Sequence, residues 1–225
     1  MDVHDISGLE DTIRCIAEQK KNLRNALAFK GQRPTREPRN AMINQFLLSR
    51  ASNTRASGLG GESQVYTMTS FVPPSYPPCI TPFSELTKTT IDKLVLETQH
   101  RGKYLLVRVV TPQDRITAVM AIVEDEKREV VMLQLYHQEQ AGDTLEDILT
   151  QGSVVLVKEP YLKHMANGGY GLRVDHVCDV EFLPPGDERI PDAWKQTPRQ
   201  RTAVEWKIKG NEEFNATRYR AAIAA

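Results

Sequence analysis

The sequence predicts an α+β chain organised around one small β domain, and three observations carry that prediction. First, β-branched and aromatic residues crowd five runs, 103–110, 116–124, 129–136, 153–159 and 171–183, with turn signals between them. Second, a short helical pattern at 144–150 falls between the third and fourth runs. Third, helical patterns stand at both ends of the chain, outside the β-rich part. Three strands, a helix and two strands is the element order of an OB-like five-stranded β-barrel, whose faces and loops often bind oligomers. The barrel domain is expected over 83–185.

Composition bounds the rest. The 225 residues leave room for one fair-sized domain plus extensions. Lys+Arg and Asp+Glu balance at 29 each, so the whole molecule has no electrostatic bias towards nucleic acid or acidic membranes. The cysteines Cys15, Cys79 and Cys178 are too few and too scattered for a disulfide framework. Asp2, His4, Asp5 and Glu10 stand where a secretory signal needs an apolar run, and the run 118–123 is far short of a membrane span. The expected location is intracellular, cytoplasmic and/or nuclear, with no membrane partner.

Residues 1–30 read as an amphipathic, coiled-coil-like helix. Ile6, Leu9, Ile13, Ile16, Leu23 and Leu27 fall on alternating steps of three and four, with Lys20 in the one missing slot. Ser7 with Glu10 makes a capping box at its start. Such a seam either pairs with a partner or docks on the chain's own barrel; docking is the expectation, since loose heptads are common in ordinary amphipathic helices.

Residues 31–82 read as a disordered linker rich in Pro, Gly and Ser, with only 41–48 apolar enough for a short helix. Five arginines stand against the single acid Glu37 between Gly31 and Gly60, a pattern expected of a solvated tether. The Pro73-Pro-Ser-Tyr-Pro-Pro78 segment is either a polyproline ligand for a partner or a spacer, with the spacer expected. At 86–94 the pattern tolerates a helix, while 93–98 looks like a strand.

Within the barrel, Leu105, Val107 and Val109 mark a core face. The run 116–123 is apolar on both faces, so it needs cover from outside, expected from a flanking helix. The glycine turn 166–171 closes the last hairpin. Pro184-Pro185-Gly186 ends the barrel, 186–201 connects, and Thr202 with Glu205 caps a second terminal helix.

No catalytic signature rises from these elements. His176 and Cys178 share a strand face, but zinc wants four ligands and no second pair exists, so packing is the expected role and no metal is assigned. Asp175 and His176 point to opposite faces and make no dyad. The glycine turn lacks the Gly-Lys-Ser/Thr ending of a phosphate loop. Nucleic-acid binding is the serious alternative. Tyr104, Arg108, Tyr136, Tyr161, Lys163 and Arg173 would form a stacking and basic face if they converge, although Glu124, Asp125, Glu139, Asp147 and Asp175 lie in the same region and oppose phosphate.

The last twenty residues carry Trp206, Gly210, Asn211, Phe214, Tyr219, Ala222 and Ile223 at the signature spacings of a tetratricopeptide repeat. Residues 202–225 are thus similar to the start of such a repeat, a helical hairpin stopped inside its second helix. The resemblance makes Trp206, Gly210, Phe214, Tyr219 and Ala222 its packing residues. The phrases Thr98-Gln-His-Arg-Gly102, Ile122-Val-Glu-Asp-Glu126, Leu133-Gln-Leu-Tyr136, Val157-Lys-Glu-Pro-Tyr161 and Leu172-Arg-Val-Asp-His176 resemble those of fungal proteins that combine a tetratricopeptide segment with a SET domain. That family's cofactor motif, catalytic tyrosine region and zinc cysteines have no counterpart here. The resemblance therefore implies a non-catalytic protein-interaction module, without methyltransferase activity or cofactor, that is the N-terminal part or a truncated relative of such a protein. A protein or peptide partner is implied, with Lys207 and Asn211 matching the first two residues of a carboxylate clamp. Two alternatives stay open: a single-strand nucleic-acid binder, and a fragment of a SET-type methyltransferase whose active half lies beyond this chain.

Overall fold

A computed structural model describes residues 7–58, 74–136, 148–165, 169–195, 207 and 211. The chain divides into two compact units, Met1–Gln138 with Asp147–Pro184, and Glu139–Glu146 with Pro185–Ala225.

The first unit holds helices α1 (Ser7–Ala26) and α2 (Arg39–Gly58) and one mixed sheet. Its strands are β1 (Thr87–Thr89), β2 (Thr98–Gln99), β3 (Lys103–Val109), β4 (Asp114–Arg115) and β5 (Val119–Glu124). They continue as β6 (Val130–Leu135), β7 (Val154–Lys158), β8 (Tyr161–His164), β9 (Tyr170–Val174) and β10 (Val180–Leu183). The order is β10-β7-β3-β5-β6-β9-β8-β2, with β1 on β3 and β4 on β5. Most neighbours run antiparallel; β1 with β3 and β6 with β9 are parallel. Only Glu159-Pro160 separates β7 from β8, though the two stand towards opposite ends of this order, so the sheet curls back on itself.

The expected five-stranded barrel is therefore corrected to a ten-stranded mixed sheet. The extra strands are short and polar, such as Thr98–Gln99 and Asp114–Arg115, and no period-two pattern can register in two residues. The run 171–183 divides into β9 and β10 around a 3-10 turn, Val177–Asp179, so His176 and Cys178 do not share a strand. Of the helix expected at 144–150, residues 144–147 lie outside the described residues, and 148–150 are irregular. The expected C-terminal hairpin falls almost wholly outside them too, with Lys207 and Asn211 helical and exposed.

The core follows the alternation. Leu105, Val107, Val109, Ala121, Val123, Val131, Leu133, Val155, Val157, Leu162, Leu172 and Val174 pack inward in one cluster, which Ile91, Leu94 and Leu96 join from the segment before β3. The doubly apolar β5 receives the outside cover it requires, but from α2. Phe46, Met42 and Ile43 lie on Ile122, Val130, Met120 and Met132. Arg39 fastens the start of α2, its Nη2 standing 2.7 Å from a Glu124 carboxylate that Arg108 also pairs. The expected 41–48 helix is thus twenty residues long, and its docked end is not a free tether.

Ile13 on α1 and Leu27 just past its end are 58% and 60% exposed, so these seam positions do not dock on the sheet as expected, and a coiled coil is not supported among the described residues. The helix is moored where it ends: the Gly31 N–H donates to the Leu96 carbonyl at 2.9 Å and the Leu96 N–H to the Gln32 carbonyl at 2.8 Å. No helix among the described residues is long and apolar enough to cross a membrane. In the second unit a 3-10 turn, Asp192–Trp194, buries Trp194, and Arg189 pairs with Asp187 at 2.7 Å.

Gly171 sits in the β6–β9 ladder, where a Cβ would stand 3.0 Å from the Met132 carbonyl oxygen and 3.3 Å from Met165 Sδ. The carbonyl is backbone and cannot turn aside. Gly171→Val is expected to destabilise the fold by about 1–3 kcal/mol, read as a lower urea midpoint at unchanged slope.

Candidate functional site

The outer face of β6, β9 and β8 gathers polar side chains because the inward residues Leu133, Leu172 and Leu162 leave their neighbours pointing out. Register sets Met120, Gln134, Arg173 and Tyr161 in one row, and Met132, Gly171 and Lys163 in the next. Gly171 adds no side chain, and Met165 Sδ lies over its place. The Gln134 amide meets sulfur there: its Nε2 is 3.3 Å from Met165 Sδ and 3.7 Å from the sulfurs of Met120 and Met132.

Arg173 is the centre of this face. Its Nε donates to Asp175 Oδ1 at 2.8 Å, with both side chains almost fully buried, and its guanidinium lies 5.2 Å from the centroid of the Tyr136 ring. A buried charge pair of this kind needs its remaining donors and acceptors satisfied. A strap, residues 74–81, supplies partners. Pro74 offers its carbonyl to Arg173 Nη2 at 3.4 Å, the Tyr76 N–H donates to Asp175 Oδ2 at 3.4 Å, and the Tyr76 hydroxyl donates to the Arg173 carbonyl at 3.3 Å. The Tyr76 ring lies 5.5 Å from the rings of both Tyr161 and His176. His176 Nε2 donates to the Tyr76 carbonyl at 2.5 Å, and Asp179 Oδ1 accepts the Cys79 N–H at 2.8 Å. Further on, the Thr81 hydroxyl donates to buried Glu159 at 3.1 Å. Burial pushes the Tyr76, Tyr136 and Tyr161 hydroxyls up from their ordinary value, so they stay protonated as donors.

Glu97 closes the β8 side. Its backbone is left-handed, φ 51°, and its carboxylate accepts the Tyr161 hydroxyl at 2.9 Å and the His164 N–H at 2.7 Å. Lys163 stands beside this carboxylate, 8% exposed, with the Glu97 charge acting on its ammonium. Burial, with the Arg173 cation adding and Glu97 and Asp175 opposing, pulls its ammonium down to about 8. The face is thus a buried polar network with one amine that is partly neutral near pH 8.

Of the six residues expected to form a nucleic-acid face, Tyr136, Tyr161, Lys163 and Arg173 come together here. Tyr104 and Arg108 lie on β3, where the Tyr104 ring meets the Phe83 ring at a tilt, 4.9 Å between centroids, and Arg108 pairs with Glu124. Lys207 and Asn211 are exposed, and Trp206, Gly210, Phe214, Tyr219 and Ala222 lie outside the described residues. Sequence reading missed Tyr76 and Glu97. The one signal for Tyr76 was a lone aromatic set among prolines in a segment read as a spacer. Among the described residues no group of three His, Cys, Asp or Glu comes together to hold a metal ion.

No family model matches the chain. A curated protein of Gibberella zeae, named a methyltransferase, is 39% identical over 196 residues, which is 87% of this chain and 24% of that protein. The chain therefore spans about a quarter of that relative's length. These findings correct the tetratricopeptide/SET resemblance, since no repeat or SET model matches and the relative's name is a methyltransferase alone. They also correct the expected non-catalytic interaction module, because the similar protein is named as an enzyme. Among solved structures, an OB domain from Methanosarcina mazei is 15% identical with a TM-score of 0.32, covering 43% of this chain and 83% of that one. Pot1pC of Schizosaccharomyces pombe bound to single-stranded DNA is 11% identical with a TM-score of 0.33, covering 45% and 90%. Neither overlap is close enough to assign a fold or a ligand.

Lys163 gives this face a pH signature. Its folded-state value lies below the 10.5 of a free lysine. Between the two the unfolded chain holds more protons, so this residue's contribution to stability rises as pH climbs through that window. Denaturant unfolding of the parent and of Lys163→Met, compared at pH 7 and pH 10, is expected to show the parent gaining on the variant at the higher pH. The cysteine and tyrosine titrations are common to both and cancel in the difference. A pH-independent gap would show that Lys163 is not held as a desolvated cation.

Proposed function

We propose that this chain is the β-rich segment of a methyltransferase, and that methyl transfer is the activity of the longer protein to which such a segment belongs. One observation carries the reading: 39% identity sustained over 87% of the chain to a protein of that name. Identity at this level, across both the strands and the strap, supports a shared fold and a shared role within the larger protein. The test is incorporation of label from a labelled methyl donor into cell-extract acceptors by the full-length gene product that contains this chain. Incorporation by that protein, and its loss when the 1–225 segment is deleted, is the expected result. A full-length product that transfers no methyl group to any acceptor would overturn the reading.

For the partner of such an enzyme, the gathering of Tyr136, Tyr161, Lys163 and Arg173 supports a single-stranded nucleic acid. Tyr76 covers the Tyr161 ring, and Asp175 takes the Arg173 charge, so a base stacks there only when the strap lifts. Oligonucleotide affinity measured at low salt is expected to rise in Tyr76→Ala, because removing the ring uncovers the stacking surface. An unchanged or weaker affinity in that variant, with the fold intact by circular dichroism, would rule out this face as the contact.

A further inference from the structure

The strap meets the turn before β10 at a single carboxylate. Asp179 is fully buried, and its Oδ1 accepts the Cys79 N–H at 2.8 Å while the Cys178 thiol donates to the same oxygen at 3.6 Å. The backbone of Cys79 and the thiol of Cys178, 99 positions apart in the chain, thus meet on one oxygen. Cys178 is exposed and Cys79 half-buried, so both are open to a small reagent. The Cys79 thiol donates to the Thr81 carbonyl at 3.6 Å. Rotation about its Cα–Cβ bond swings the sulfur back towards its own N–H, which already faces Asp179. A disulfide asks for Cα atoms roughly 4.4–6.8 Å apart, a span that two residues sharing one oxygen can meet.

We propose that Cys79 and Cys178 are a disulfide-forming pair that fastens the 74–81 strap over the Arg173–Asp175 cluster when the chain meets a disulfide oxidant such as oxidised glutathione. One thiolate attacks the oxidant's sulfur and expels one reduced glutathione. The second thiolate attacks the resulting mixed disulfide, forms the Cys79–Cys178 bond and expels the other. The electrons of two thiols leave as two reduced glutathione molecules. Asp179 and Glu159 face Cys79 as anions with Lys158 as the cation, and Asp179 and Lys158 face Cys178. Burial first, with the carboxylates adding, pushes both thiols up from their ordinary value, so the exchange is slow at neutral pH and accelerates as pH rises.

The experiment equilibrates the chain in reduced and oxidised glutathione, traps free thiols by alkylation and maps peptides by mass spectrometry without reduction. The expected result is an intramolecular Cys79–Cys178 link that survives in Cys15→Ser and disappears in Cys79→Ser and in Cys178→Ser. In the linked form, amide exchange at Tyr76 and Cys79 is expected to slow by about an order of magnitude, because the strap can no longer open locally. Three outcomes would overturn the proposal: both cysteines carrying glutathione without a link to each other, both staying alkylatable at every poise, or a link that leaves strap exchange unchanged.

Discussion

Strand β5 buries five of its six residues, and that constraint shapes most of what surrounds it. A sheet whose central strand is apolar on both sides cannot keep one wet face, because the outer row of side chains would sit in water at a cost of about 25 cal/mol per Å² left exposed. One side is closed by the curl of the sheet itself. The other is closed by α2, which lays Phe46 on Ile122 and Val130. That helix comes from a segment whose composition looks like a tether, and it folds where it does because β5 needs a lid.

Covering the outer face brings polar groups out of water with it, and each must find a partner. The partners come from the two segments that precede the sheet in sequence. Arg39 of α2 reaches Glu124, Thr81 reaches Glu159, the backbone at Tyr76 reaches Asp175, and the backbone at Cys79 reaches Asp179. These pairs join positions 78 to 100 residues apart. Removing one member of a buried charged pair strands the other, at about 3–5 kcal/mol. The acids of the sheet therefore act as fixed anchors, and the preceding segments are ordered by them.

This division explains what was legible in the sequence. The inward alternation of Leu105, Val107 and Val109 is a local pattern, and it identified the core directly. The need for a lid on 116–123 was equally local, but the identity of the lid was not. Nothing in the 41–48 pattern announces that its apolar residues match Ile122 and Val130. The polar strands β2 and β4 carry no hydrophobic period, because they are ordered by ladder hydrogen bonds at the sheet margins rather than by burial. At the candidate site, Arg173 and Tyr161 were found because aromatic and basic residues on one face are visible in sequence. Glu97 was not, since a buried carboxylate with a left-handed backbone looks like any surface acid until its donors, the Tyr161 hydroxyl and the His164 N–H, are placed around it.

Counting charges along the chain set Asp175 against any phosphate-binding role for this face. The folded arrangement changes the meaning of that count. Asp175 is spent on Arg173 and on the N–H of Tyr76, and Asp179 on the N–H of Cys79. An acid held against an arginine, as Asp175 is against Arg173, presents little field to an incoming ligand, and so does the paired arginine; Asp179 keeps its second oxygen unpartnered among the described residues. What remains on the face is Lys163, 8% exposed beside the Glu97 charge, while the Tyr136 ring lies against Arg173 and the Tyr161 ring against Tyr76. The local balance at the face is thus set by one lysine and by whether the strap is seated, not by the number of acids that the sequence places nearby.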